Sequence, residues 1–241
     1  MAAGEKLDLT VILPCLNEER NIGYCIKEAE AFIKRRKLNA EILVVDNGSS
    51  DRTAETARRY GVTVIHEARR GYGRAIRTGL EHSRGGVIVI ADGDSTYDLY
   101  RLDRFYYPLR CGYADVVIGD RFSGRRIKGA MPVLHRAGAA VLSGLARARF
   151  GTGVRDFHCG LRALTSEAAE RLTLHTDGME FATEMIAEAA KNGLRIAQTP
   201  VTLRRARYGR VSKLRTFSDG TRHLKYIISP AITGKNGGKR S

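Results

Sequence analysis

Residues Val87–Asp98 read VIVIADGDSTYD, a five-residue apolar run that breaks into two carboxylates, Asp92 and Asp94, two positions apart. A short continuous apolar run bounded by turn residues is the pattern of a strand covered on both faces. Side chains on an extended strand alternate faces with period two, so Asp92 and Asp94 point the same way. At a strand's carboxyl end they make a pair of hard oxygen ligands suited to Mg²⁺ or Mn²⁺ carrying a phosphate-bearing ligand. Such carboxylates are costly to leave unpaired beside apolar residues, which makes a cation their natural partner. Taken alone, the segment reads equally well as a surface turn rich in Asp and Gly.

The surrounding chain repeats the pattern. Leu9–Leu13, Glu41–Asp46, Val62–His66 and Asp115–Gly119 are further apolar strand runs. Helical periodicity separates them: a helix opening at Asn17–Arg20, then Thr53–Tyr60 behind a Gly48–Asp51 turn and cap, Gly71–Ser83 and Leu99–Gly112. Strict alternation with Val/Ile-rich strands predicts an α/β fold, a mostly parallel central sheet with helices on both faces. Ligands of such sheets bind outside the carboxyl ends of the strands. Pro14–Glu18, Asp46–Ser50, Arg69–Gly73, Asp92–Asp98 and Gly119–Arg121 all fall at that end. The second half is less regular. It predicts a small-residue helix at Val133–Phe150, a strand or loop at Val154–Leu164 that returns to the sheet, and an amphipathic helix at Glu180–Asn192. A late strand at Arg195–Leu203 and a closing helix at Ser218–Ile228 complete it. One domain over 1–228 and a flexible basic tail over 229–241 follow.

Composition narrows the function. With 43% hydrophobic and 28% charged residues among 241, the chain is globular. No apolar run approaches the ~18 residues of a spanning helix, and the N-terminus lacks the apolar core of a signal peptide. Cys15, Cys25, Cys111 and Cys159 show no metal-ligand spacing and read as reduced thiols of a cytoplasmic protein. The six histidines are scattered, which argues against zinc. A net charge of +15, thickest at Arg121–Lys128 and Arg204–Lys225, points to an anionic partner or to a generally solvated basic surface. The basic tracts carry no nucleic-acid-binding signature, so no nucleic acid is expected.

Six segments in order resemble family-2 inverting glycosyltransferases of the GT-A (Rossmann-like) fold, most of all the polyprenyl-phosphate (dolichol-phosphate) sugar synthases. They are Pro14-Cys15-Leu16-Asn17-Glu18, Val44–Asp51 (VVDNGSSD), Ala91-Asp92-Gly93-Asp94, Asp115–Phe122 (DVVIGDRF), Asp156–Arg162 (DFHCGLR) and Arg207–Leu214 (RYGRVSKL). The resemblance runs from about Leu9 to Ile228. It implies a hexose moved from a nucleotide-diphosphate sugar, of GDP-mannose or UDP-glucose type, to a polyprenyl phosphate. Pro14, Leu16, Glu18, Val45, Asp46 and Asn47 would line the base and ribose pocket. Asp92, Gly93 and Asp94 would meet the diphosphate through Mg²⁺ or Mn²⁺, with Thr96 as a further metal oxygen. Arg121, Arg207 and Lys213 would contact phosphates of donor or acceptor, and catalysis would fall to Asp94, Arg121 and Asp156.

Three departures stand out. Asn47 replaces the commoner second Asp, so the base would be read by an amide. His158-Cys159 stands where small or polar residues are frequent, and the chain does not continue into transmembrane helices as many bacterial relatives do. An ionised phosphate nucleophile needs no strong base, so Asp156 is a base only for a hydroxyl acceptor, or else pairs with Arg155 or Arg162. The expected location is cytoplasmic, and a lipid acceptor would bring the protein to the cytoplasmic face of an anionic membrane or beside a membrane-anchored partner. The Leu224/Ile227/Ile228 side of the last helix either rests at that interface or packs on the domain, and the small-residue helix is the other contact. Two further readings remain: a soluble or saccharide acceptor, and a DxDxT phosphatase, whose motif belongs on a first strand. Arg70-Gly71-Tyr72-Gly73 is either a phosphate cradle or an ordinary turn and cap. Glu180 and Glu184 share a helical face, as a solvated acidic stripe or as part of the acceptor pocket.

Overall fold

Strand β1 (Leu7–Cys15) is buried without a break from Leu9 to Cys15, as its unbroken apolar run requires, and lies between β2 (Ala40–Asp46) and β4 (Gly85–Ile90) in the computed structural model. The structure describes residues 7–124, 127, 133–205, 207 and 216–229. Seven strands form one sheet in the order β3-β2-β1-β4-β6-β5-β7, with β3 at Thr63–His66, β5 at Val116–Asp120, β6 at Arg162–Thr165 and β7 at Ile196–Pro200. All pairings are parallel except those of β6, which runs antiparallel between β4 and β5. Strand alternation by itself puts β5 beside β4. Instead the Val154–Leu164 segment is a loop to Leu161 and then β6, which fills that place.

Helices α1 (Ile22–Arg36), α2 (Thr53–Arg59), α3 (Tyr72–His82) and α4 (Asp103–Arg110, after a 3₁₀ turn at Leu99–Arg101) connect the first five strands. The first of them starts five residues later than its polar opening suggests. Asn17 has a positive φ of 54°, and its side chain accepts a hydrogen bond from Ser50 N at 2.8 Å. Glu18 N donates to Thr53 Oγ1 at 2.8 Å and Glu19 N to Asp51 at 3.1 Å. Residues 17–19 are therefore bonded to the loop after β2 instead of forming a helical turn.

The second half supplies α5 (Val133–Phe150), α6 (Ser166–Arg171), α7 (Phe181–Lys191) and α8 (Thr216–Ile228). Helix α6 is not foreseen from periodicity, being too short, although Thr165 caps it by accepting from Ala168 N at 3.0 Å. Helix α7 departs from the amphipathic expectation: Phe181 through Ala189 are all buried, Glu184 and Glu188 included. Glu184 accepts from His175 N, Thr176 N and Thr176 Oγ1 at 2.6–2.9 Å, so it anchors the preceding loop and is no solvated stripe. The apolar side of α8 divides. Ile227 packs in the core, whereas Leu224 and Ile228 are exposed.

Candidate active site

The carboxyl ends of β1, β2, β4 and β5 open on one edge of the sheet, and the loop 156–161 that leads into antiparallel β6 reaches the same edge. Asp92 and Asp94 stand there, just past β4. Asp94 is buried; its Oδ1 accepts from Thr96 N at 3.0 Å and from the Thr96 hydroxyl. Thr96 is itself buried and holds the carboxylate from behind. Asp92 Oδ1 accepts from the Tyr72 hydroxyl at 3.1 Å. Burial, and then the negative charge of Asp92, push the Tyr72 phenol well above its usual range, so it stays a donor.

On its other side Asp92 faces Gly160. A Cβ at residue 160 would lie 2.2 Å from Asp92 Oδ2, so only glycine leaves this carboxylate its place. Gly93 meets Cys15 Sγ in the same way. Among the described residues no third His, Cys, Asp or Glu completes a metal cage. Two carboxylates fit Mg²⁺ or Mn²⁺, which keep waters and take the remaining ligands from phosphate oxygens.

Across the opening, Asp156 and Arg121 form a two-pronged ion pair. Arg121 Nε donates to Oδ2 at 2.6 Å and Nη2 to Oδ1 at 2.7 Å, while Arg121 N and His158 N supply one further bond to each oxygen. Burial works against the Arg121 charge, but the Asp156 charge and hydrogen bonds outweigh it and hold the guanidinium well above its ordinary pKa. The sequence had offered Arg155 or Arg162 as structural partners of Asp156. Arg155 instead approaches Asp120 at 3.9 Å, and Arg162 turns to backbone carbonyls.

The expected base pocket is partly rearranged. Asn47 donates through Nδ2 to Glu67 O and Arg69 O at 3.2 and 2.8 Å, and accepts from Gly71 N at 2.7 Å. Both amide hydrogens and the amide oxygen are thus engaged inside the protein, on the loop before α3. Val45 is fully buried in β2 and packs in the core instead of lining a pocket. Asp46 accepts from Ser49 N and pairs with His66 at 3.2 Å. Pro14 is buried beside it at the end of β1, Leu16 is half-buried, and Glu18 accepts from Asn21 Nδ2 at 2.9 Å.

Arg207 lies beside the carboxylate loop: its N donates to Ser95 Oγ at 3.3 Å, and its guanidinium stacks 4.5 Å from the Tyr24 ring centre. Lys213 falls outside the described residues. The turn before α3 is an ordinary cap, because Gly73 N and Arg74 N donate to Asp177 O at 2.9 and 3.3 Å and so are not offered to a phosphate.

Pattern reading missed Tyr72 and Gly160 at Asp92, although both lie in segments it quoted. It also missed Glu67, whose buried carboxylate gathers Arg69 N, Arg74 Nε and Thr78 Oγ1 at 2.7–3.0 Å and so shapes the loop before α3. Arg70, exposed, reaches Gly48 O at 3.3 Å and brings a cation to the mouth of the base side.

Residues 10–173 match the family model described as glycosyl transferase family 2. The chain belongs to this family. That membership closes the phosphatase reading of DGDST, whose two carboxylates follow the fourth strand and not the first.

Among curated relatives it is 37% identical to the low-salt glycan biosynthesis hexosyltransferase Agl6 of Haloferax volcanii, over 91% of this chain and 53% of that protein. It is 35% identical to glycosyltransferase AglJ of the same organism, over 80% of this chain and 61% of AglJ. The dolichyl-phosphate hexose transferase of that organism is 35% identical over 93% of this chain and 94% of its own length. This family-2 chain thus spans little more than half of Agl6 and AglJ but nearly all of the third. Glucosyl-3-phosphoglycerate synthase from Mycobacterium tuberculosis, solved with phosphoglyceric acid, shares the fold with a TM-score of 0.73 at 22% identity, over 92% of this chain and 80% of that one. The same synthase was also solved with Mn²⁺, uridine diphosphate and glucosyl-3-phosphoglycerate, at a TM-score of 0.72 and 22% identity, with the same 92% and 80% covered.

Proposed function

We propose that this family-2 glycosyltransferase moves a hexose from a nucleotide-diphosphate sugar to a polyprenyl phosphate. The observation that carries the donor half is the Asp92/Asp94 pair, held from two sides at the carboxyl end of β4. Asp92 and Asp94 would hold Mg²⁺ or Mn²⁺, with Thr96 fixing Asp94; when bound, the ion supplies positive charge to the departing nucleoside diphosphate. The Mn²⁺ and uridine diphosphate bound by the mycobacterial synthase agree with this assignment. Pro14, Leu16, Glu18, Asp46 and Arg70 would surround the nucleoside, and Arg207 and Lys213 the phosphates.

On the acceptor side Arg121 has its Nε/Nη2 edge held by Asp156, and its remaining Nη1 end would be the part that meets a phosphate. Asp156 has both oxygens engaged by four N–H groups, so its role is to hold Arg121 in register, not to take a proton. A phosphate nucleophile is consistent with that, since it is already ionised. The dolichyl-phosphate relative supports the lipid acceptor. Membrane contact would come from the outer faces of α5 and α8, which pack together through Phe150 and Tyr226. They expose Val141, Leu145, Leu224 and Ile228 beside the exposed Arg147, Arg149, Arg222 and Lys225.

A phosphorylated soluble acceptor is the second reading, favoured by the phosphoglyceric acid bound to the structural neighbour.

The donor is tested by thermal shift with GDP, UDP, dTDP and CDP, each with and without Mn²⁺. We expect one metal-dependent winner, lost in Asp94→Ala with the fold retained. Unchanged nucleotide affinity in that variant refutes the assignment. Sugar transfer to polyprenyl phosphate, together with flotation on anionic but not neutral vesicles, supports the lipid acceptor. Transfer to a soluble phosphorylated acceptor alone moves the protein to the second reading.

A further inference from the structure

Among the described residues Arg162 is the largest side chain with no exposed surface, and it is a cation. Its five guanidinium contacts go to Cys159 O (3.1 and 2.6 Å), Phe157 O (3.4 Å), Ala182 O (3.1 Å) and Met185 Sδ (3.6 Å). None is a carboxylate, and among the described residues Arg162 makes no ion pair. A buried charge answered only by carbonyl dipoles is expensive to keep. Loop stapling alone does not require it, because a neutral amide also donates to carbonyls.

Its position indicates where the charge acts. Arg162 opposes Ile90 in the antiparallel β4–β6 register, which brings Gly160 opposite Asp92. A Cβ on Gly160 would point straight into the Asp92 carboxylate. Arg162 Nη2 donates to Cys159 O at 2.6 Å, the carbonyl joined to Gly160, so the guanidinium is fastened within one residue of the point where Gly160 meets that carboxylate. The Tyr72 hydroxyl donates to the same carboxylate at 3.1 Å. The positive field of Arg162 reaches the edge-to-face pair His158 and His223, whose ring centres are 4.4 Å apart. Burial first, and then Arg162, hold His223 down at about 4.

We propose that Arg162 supplies a fixed, water-excluded positive charge beneath the Asp92-Gly93-Asp94 loop, which offsets the two carboxylates and favours the anionic diphosphate of the donor without touching it. The proposal rests on reading that loop as the donor-diphosphate site. Low effective dielectric lets such a charge act over several ångströms, and because it is fixed in place it needs no reorganisation as negative charge grows on the leaving group.

Charge and staple separate in two variants, Arg162→Gln and Arg162→Lys. Three readouts apply: His223 titration by NMR, calorimetric affinity for Mn²⁺ alone, and affinity for UDP and GDP at saturating Mn²⁺. In Arg162→Gln the His223 pKa should climb from about 4 toward its ordinary value. Affinity for the better nucleotide should fall about tenfold, while Mn²⁺ alone binds as well or better, as expected when a like charge is removed. Arg162→Lys, which keeps the charge and loses the fork, should melt lower yet keep wild-type values in all three.

A merely structural residue gives another pattern: both variants weaken metal and nucleotide alike, and His223 does not move. That pattern overturns the proposal. Should the Gln variant fail to fold, the Lys variant decides, since loss of both affinities in it equally overturns the idea and retention of both supports it. Wild-type protein that binds neither nucleotide overturns the donor-site reading and this proposal with it. Wild-type binding left unchanged by Arg162→Gln overturns this proposal alone.

Discussion

Replacing Asp156 by Asn removes one charge and two acceptor positions from a pair that is almost wholly enclosed. The side chains of Asp156 and Arg121 are 0% and 13% exposed. Asn keeps one oxygen, which can retain two of the four N–H bonds. Its NH₂ group then faces two donors, among them the guanidinium or the His158 amide. Breaking one side of a buried ion pair costs about 3–5 kcal/mol. Because Arg121 keeps a little solvent contact, the lower end applies, about 3 kcal/mol, which for a domain of this size lowers Tm by roughly 6–12 °C. Calorimetric melts at pH 7 read the stability directly. A double-mutant cycle with Arg121→Met should return a coupling of about 2 kcal/mol between the two positions. Turnover with a phosphate acceptor should fall in parallel, because Arg121 loses the group that holds its fork. A Tm within about 2 °C of wild type, or strictly additive single variants, would refute the claim that this pair organises the acceptor side.

Gly160→Ala should displace the Asp92 carboxylate, since the new methyl would sit 2.2 Å from Oδ2; Mn²⁺ affinity measured by calorimetry should drop with little change in Tm. Tyr72→Phe removes the 3.1 Å bond to Asp92 and should cost about 1 kcal/mol in urea melts, with a several-fold weaker nucleotide response. For pH, His223 is held at about 4, and burial, then the charge of His223, lower His158 as well. The native state thus binds fewer protons than the unfolded chain below the ordinary histidine pKa of about 6.5. Stability should be full above that value and drain as pH falls toward 4, by about 3 kcal/mol for His223. Urea midpoints across this window check it, and His223→Phe should flatten the dependence.

Sequence by itself determined the α/β class, the place of nearly every strand and the edge of the sheet that carries the candidate site. Buried strands leave unbroken Val/Ile runs, and the polar residues that follow them must lie at one end. It also offered Asp92 and Asp94 as a candidate metal pair, although both fall in the turn past β4 and not on the strand itself. Only tertiary structure decided who partners whom. The antiparallel insertion of β6 between β4 and β5 depends on non-local pairing that no periodicity encodes, and it sets Gly160 against Asp92 and Arg162 opposite Ile90. Asn47 and Glu184 look like free recognition groups in the chain. In the fold their polar atoms are taken up by loops twenty-odd residues away for Asn47 and within nine residues for Glu184. Asp156 had two arginine neighbours in sequence and chose a third, Arg121, 35 positions away. A buried carboxylate pairs with the cation whose fork the fold brings to it, and that choice is made by packing, not by proximity along the chain.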